Sequence, residues 1–328
     1  MKWGIIGTGE IARKFADTIN AMHNEGQSLL AVASRSPETA SAFALSMKIP
    51  HAYAPYEAML ENAQVNAVYI ATPNMLHFEN AKAALLAGKH VLCEKPFTIN
   101  GKQARALYTL AREKGLFIME AFWIRFLPML RKLRELLEAG EIGTVMHVRS
   151  EFGFIPPDSL CARKQDVALA AGALMDIGVY NLGFVYIVMP ERPTGFHSTV
   201  AHNEYGTDCY SAIMLTYPNG KSASIVTAIG MDLPREAAIF GTAGVITFTN
   251  YHMAESMTVR PYGREAYTLN MPVEINGYEY EVREVERCVQ LGLYTSDVLR
   301  EQDSLAVLDT MDALRATWGI TFPGEAEA

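Results

Sequence analysis

From Lys2 to about Phe122, short apolar runs alternate with amphipathic stretches. KWGIIG, LLAVASR, AVYIAT, HVLCEK and LFIMEAF carry consecutive apolar residues instead of alternating ones, as strands covered on both faces do. Between them, GEIARKFADTINAMH, MLHFENAKAALLAGK and NGKQARALYTLAREKG have helical spacing, and Gly115 is placed to cap the last of these. Strand, helix, strand at this spacing predicts an α/β fold that begins with a doubly wound parallel sheet.

Beyond Phe122 the pattern changes. A helix from about Leu127 to Ala139 leads into GTVMHVRSEFGF. Later come TDCYSAIMLTY, GKSASIVTAIG, REAAIFGTAGVITFT and ESMTVRPY, with turn signals such as PNG between them, which predicts an antiparallel sheet. Two helical stretches, EYEVREVERCVQLG and LREQDSLAVLDTMDALRATWG, follow. At 328 residues the chain exceeds what one core usually supports. The expected division is 1–122 as a nucleotide-binding domain and 123–328 as an α+β domain, with the C-terminal helix free to pack back on the first. No flexible linker separates them, so a ligand is expected in a cleft between directly packed domains.

The formal charge is −8 with no run of Lys and Arg, which argues against nucleic acid or an anionic membrane as partner and leaves small polar metabolites. No apolar run reads as reaching the ~18 residues of a membrane helix. The first strand starts at once, leaving no room for a signal peptide, so a cytoplasmic protein is expected. Cys93, Cys161, Cys209 and Cys288 lack C-x-x-C spacing, which predicts reduced, mostly buried thiols and no metal site.

GIIGTGEIA places Gly7, Gly9 and Ala12 in a G-x-G-x-x-G/A pattern between the first strand and the first helix. Gly7 permits the tight turn, Gly9 lets a pyrophosphate approach the backbone, and Ala12 lets helix and sheet pack closely. Thr8, Glu10 and Ile11 are counted with them as cofactor-binding, at a helix N-terminus suited to phosphate. The second strand ends in Ser34 and Arg35 where an NAD site usually has a carboxylate, so NADP is favoured and NAD remains possible. The alternative is that Arg35 is only a solvated loop residue.

Two further segments belong at the carboxyl ends of strands, where open α/β sheets bind ligands. Thr72, Pro73 and Asn74 end the fourth, with His77 opening the next helix, and Glu94, Lys95 and Pro96 end the fifth. Much later, AGALMDIGVYNLGF read as a helix puts Asp176 and Tyr180 on one face. A nearby ammonium such as Lys95 favours a phenolate, making Tyr180 a proton acceptor for an alcohol losing hydride, with Asp176 orienting the substrate or holding Lys95 charged. Each residue also has a plain structural role available: Tyr180 as core, Asp176 bonded to backbone, Glu94 with Lys95 as a surface pair, His77 as a packing histidine. Residue patterns leave that choice open.

GIIGTGEIA, TPNMLH, CEKPF, EAFWIRFLP and AGALMDIGVYNL, in this order, resemble the glucose-fructose oxidoreductase and inositol dehydrogenase family, Gfo/Idh/MocA. Within it the chain is most similar to the dimeric dihydrodiol dehydrogenases and NADP-dependent D-xylose dehydrogenases, since Tyr180 stands where many sugar-oxidising relatives carry His. The resemblance implies a Rossmann domain, then a domain with a large, open, mainly antiparallel sheet that often mediates a homodimer. It implies catalytic Lys95 and Tyr180 with Asp176 beside them, and a cleft lined by Trp123 and Arg125. The reaction implied is hydride transfer between a nicotinamide and a secondary alcohol or ketone of a sugar or cyclic diol. The other readings are a non-catalytic NADP sensor on the same fold, and a reductase of an imine or conjugated double bond. The segment IPPDSLCARKQDVALA matches no member well and names no substrate.

Overall fold

A computed structural model describes residues 1–325. The chain forms two compact units: Met1–Trp123 with Glu274–Glu301, and Ile124–Val273 with the C-terminal segment from Gln302.

In the first unit, β1 (Lys2–Ile6), β2 (Ser28–Ala33), β3 (His51–Tyr53), β4 (Ala67–Ile70), β5 (His90–Glu94) and β6 (Ile118–Ala121) form one parallel sheet in the order β3-β2-β1-β4-β5-β6. The order reverses between β1 and β4, the place where such sheets open a crevice at their carboxyl ends. Ile5, Ile6, Val32, Val68 and Leu92 are wholly buried, which explains the unalternating apolar runs; each contributes roughly 1.5–3 kcal/mol of burial. Phe15, on the helix Glu10–Ala21, stacks on Tyr69 with centroids 3.7 Å apart. Asn100 caps the helix Gly101–Lys114 by accepting from the Gln103 N–H at 2.9 Å, and Gly115 ends it in the left-handed region at φ 63°. The late segment Glu274–Glu301 belongs here through its helix Glu279–Gln290: Arg283 pairs with Glu25 at 2.8 Å and Thr18 donates to Asn276 at 2.9 Å.

In the second unit, β7 (Val145–Phe154), β8 (Gly195–His202), β9 (Asp208–Thr216), β10 (Ser222–Ile229), β11 (Ala237–Gly241), β12 (Gly244–Phe248), β13 (Ser256–Pro261) and β14 (Tyr267–Asn270) form an eight-stranded sheet in the order β14-β13-β12-β11-β7-β10-β9-β8. All pairs are antiparallel except β7 with β10. The helix Val179–Val188 packs on β7 and β10 and is apolar almost all round, as a helix buried on every side must be. Val167–Val188 is in fact long and apolar enough to pass for a membrane span, contrary to the expectation that no such run exists. Most of it is buried inside the protein, and it is broken into a 3₁₀ turn (Val167–Leu169), a π-helical turn (Leu174–Gly178) and the α-helix.

Candidate active site

The glycine turn of the first unit has the form a dinucleotide requires. Gly7 sits at φ 111°, and a Cβ there would lie 2.5 Å from the Ala71 carbonyl oxygen, so only glycine fits. A Cβ on Gly9 would meet nothing within 4 Å, and Gly9 caps the helix Glu10–Ala21 without a side-chain hydrogen bond. The first N–H groups of that helix, Glu10 and Ile11 among them, are therefore open to a phosphate, with Thr8 in the turn between the glycines. The residues present fit a bound nicotinamide dinucleotide. At the end of β2, Ser34 is buried and Arg35 exposed, with no carboxylate between them. Burial raises the Tyr56 phenol pKa and the Arg35 charge opposes that rise, which places the guanidinium near this tyrosine.

The ends of β4 and β5 are tied together by His77. Its ring is buried, with Nδ1 2.9 Å from the Pro96 carbonyl and Nε2 3.0 Å from the Thr72 carbonyl. Burial lowers its pKa. A neutral ring donates to one of these carbonyls and lies against the other, so His77 braces the two segments. Asn80 donates to the Thr72 hydroxyl at 3.2 Å, and Pro73 and Asn74 lead into a short 3₁₀ turn.

Glu94 and Lys95 are not a surface pair. Lys95 is half-buried and joined to Pro96 by a cis peptide, while Glu94 is buried, accepting from the Tyr69 hydroxyl and from the Lys95 backbone N–H at 3.2 Å. Burial pushes the Glu94 carboxyl up to about 7, against the pull of Tyr69 and Lys95 and with reinforcement from Glu120. Sequence reasoning missed three other buried acids of this unit: Glu120, Glu279 and Glu281, the last two wholly buried. Charged residues read by default as surface, and no local pattern marks these as interior. Trp123 is also buried, its ring stacked on Tyr278 at 5.3 Å.

In the second unit Tyr180 is the second residue of the α-helix that follows the π-turn, and only 6% of it is exposed. The His252 ring meets it edge-on with centroids 4.5 Å apart, and Phe152 of β7 lies 6.2 Å away. Beside it, the Tyr251 hydroxyl donates to Asn181 at 2.5 Å. The π-turn departs from the expected uniform helix, and with it the simple four-residue face shared by Asp176 and Tyr180. Asp176 is held by Lys164, which reaches both carboxylate oxygens at 2.9 and 3.1 Å. That lysine comes from the very segment whose sequence matched nothing familiar. Arg125 is buried and pairs with Asp303 at 3.6 Å.

The start of the π-turn is held from β9. Asp208, 2% exposed, accepts the Leu174 N–H at 2.8 Å. Gly172, at φ 115°, leaves room for it, since a Cβ there would lie 2.5 Å from Asp208 Oδ1. Burial raises the Asp208 pKa to about 6 despite that hydrogen bond and the nearby His202 and Arg315.

Residues 1–122 match the oxidoreductase family with an NAD-binding Rossmann fold, and residues 130–247 match the GFO/IDH/MocA C-terminal domain. The trans-1,2-dihydrobenzene-1,2-diol dehydrogenase of Mus musculus is 31% identical over 334 residues, covering 98% of both chains. The chain belongs to the Gfo/Idh/MocA family. The enzyme of the same name from Xenopus laevis is 33% identical over 331 residues, covering 98% of this chain and 99% of its own. Among solved Gfo/Idh/MocA-like structures, a 3-ketoreductase from Actinomadura kijaniata, in complex with NADP and TDP-benzene, superposes with a TM-score of 0.85 at 26% identity, covering 96% of this chain and 97% of its own. A levoglucosan dehydrogenase with NADH and levoglucosan gives a TM-score of 0.86 at 21% identity over 98% of each chain, a likeness of fold. As a Gfo/Idh/MocA protein this chain is an NAD(P)-dependent oxidoreductase, and the expected fold, a Rossmann sheet followed by a large, mainly antiparallel one, is the fold found.

Proposed function

We propose that this oxidoreductase prefers NADP and interconverts a secondary alcohol and its ketone on a sugar or cyclic diol, with Tyr180 as the acid–base group and Lys95 supporting it. The observation that carries the reading is Tyr180 itself: a phenol at a π-to-α junction, buried against His252 and Phe152. The nicotinamide supplies the hydride acceptor or donor. The chain's own task is to take the hydroxyl proton as the carbonyl forms, or return it in reduction.

An unperturbed phenol ionises near pH 10. An ammonium beside a phenol favours the phenolate, and that supporting part is assigned to Lys95. Asp176 and its partner Lys164 are assigned to orienting the substrate hydroxyls. Arg35 and Ser34 are assigned to the 2′-phosphate that separates NADP from NAD. Two facts about relatives support the assignment. The curated relatives are named for a diol substrate. The 3-ketoreductase has been crystallised with one lysine replaced by alanine or glutamate, and with one tyrosine replaced by phenylalanine. A cytoplasmic homodimer joined through the C-terminal sheet completes the proposal.

Tyr180→Phe is the test. Turnover on the best substrate from a panel of pentoses, hexoses, polyols and cyclic diols is expected to fall roughly 10²–10⁴-fold with NADPH affinity unchanged. In alcohol oxidation Lys95→Met should move the ascending, acidic limb of the pH profile to higher pH. Full turnover by Tyr180→Phe removes it from the mechanism, and tight NADPH binding without turnover on any of the panel favours the sensor reading.

A further inference from the structure

The sheet of the second unit brings an arginine to the rings around Tyr180. In the register of β11 on β7, Ala237 pairs with Ser150 and Ala238 with Arg149. The pairing runs on before β11 begins: the Glu151 N–H donates to the Glu236 carbonyl at 3.0 Å, and the Tyr251 N–H donates to the Arg235 carbonyl at 3.0 Å. Alternation along the strand therefore puts Glu236 on the face of Ala238 and Arg149, and Arg235 on the face of Ala237, Ser150 and Phe152. On that face the guanidinium carbon of Arg235 lies 5.2 Å from the centre of the Phe152 ring. Phe152 in turn meets both His252, at 5.1 Å, and Tyr180.

Arg125, Arg192 and Arg315 of the same unit each meet a carboxylate. Arg235 does not: among the described residues it has no ion pair, and its side-chain N–H groups have no hydrogen-bond partner. Asp232 and Glu236, the nearest carboxylates along the chain, leave it unpaired. The cation–π contact engages its charge while its N–H fork stays available to a ligand. The adjoining loops are apolar. Met253 follows His252, Met231 passes against Gly153 beside Phe152, and both methionine side chains are exposed.

We propose that Arg235 is the anion-binding residue of the substrate site, and that the substrate is a polyhydroxy or cyclic diol acid whose carboxylate meets this guanidinium while one of its hydroxyls meets Tyr180. This rests on the reading of Tyr180 as the acid–base group. A carboxylate suits the position better than a phosphate. Its planar, singly charged end matches one guanidinium edge through two parallel N–H···O bonds, whereas a phosphate dianion would keep half its charge uncompensated by this one cation.

Matched substrates test this with the full-length enzyme and NADP: D-glucuronate against D-glucose, and trans-3,4-dihydroxycyclohexanecarboxylate against its methyl ester. The parent enzyme should favour the acid of each pair by roughly 10–100-fold in kcat/KM, the range of charge-assisted hydrogen bonds, and mostly through KM. Arg235→Gln should bring the acid-to-neutral ratio close to one, and Arg235→Lys should recover part of it. A parent without preference for the acids, a preference that survives Arg235→Gln, or an equal loss for both members of a pair overturns the proposal. Glucose 6-phosphate used better than glucuronate overturns the assignment to a carboxylate. Where neither member of a pair is turned over, calorimetric binding to the NADP-loaded protein reads the same ratio, and equal affinities overturn the proposal. Full turnover of the acids by Tyr180→Phe with the ratio intact would instead sink the proposed mechanism and leave Arg235 as the anion site.

Discussion

Replacing Asp208 by asparagine should stabilise the protein at neutral pH, in a manner fixed by its position. Asparagine mimics the neutral acid and still presents an oxygen to the Leu174 N–H, the bond that holds the π-turn before Tyr180. The carboxyl is raised from its ordinary 3.8 to about 6. That gap amounts to about 3 kcal/mol at about 1.4 kcal/mol per pH unit, the cost of keeping Asp208 ionised in the fold. Because the folded state holds this proton more tightly than the unfolded chain, the associated stability is fully present below pH 3.8 and is lost as pH rises through about 6. Melting temperatures of parent and Asp208→Asn should therefore agree near pH 4 and separate by roughly 5–10 °C at pH 7, the variant being higher. Thermal unfolding followed by circular dichroism in steps across this range measures it. A gap that does not depend on pH, or a variant less stable at pH 7, would refute the reasoning.

Gly172→Ala meets the same carboxylate: with φ at 115° and the new Cβ 2.5 Å from Asp208 Oδ1, a loss of about 2–4 kcal/mol is expected in urea unfolding. Arg35→Ala should weaken NADPH about 10–100-fold, the worth of a charge-assisted hydrogen bond, and leave NADH nearly untouched, as measured by fluorescence titration of both. Equal loss for the two cofactors would return Arg35 to the solvated loop.

Much of the architecture was legible because burial on both faces leaves a mark on the chain. The apolar runs of β1, β2, β4, β5 and β6 needed no partner to be recognised, and Gly115 announced a helix end through its backbone freedom. β3, β8 and β14 carry no such run. β3 has three residues and little burial, while β8 and β14 are edge strands facing water with much of their length. The parallel pairing of β7 with β10 was illegible for another reason, since tight turns advertise only antiparallel neighbours. At the site, the glycine turn could be read because its steric demand is local. His77 as a brace, Lys164 on Asp176, and Glu281 in the interior depend on residues distant in sequence, and the π-turn before Tyr180 leaves no recognisable period over so few residues.

The first unit is discontinuous, closed by Glu274–Glu301. A nascent chain that has released only its first 123 residues lacks Tyr278 to cover Trp123, Arg283 to engage Glu25, and Asn276 to meet Thr18. The cofactor-binding half thus reaches its finished form only after the chain as far as Glu301 has left the ribosome. Any attempt to express that half alone must graft the late helix onto it, and a version stopped at Trp123 will expose the aromatic face this helix was made to shield.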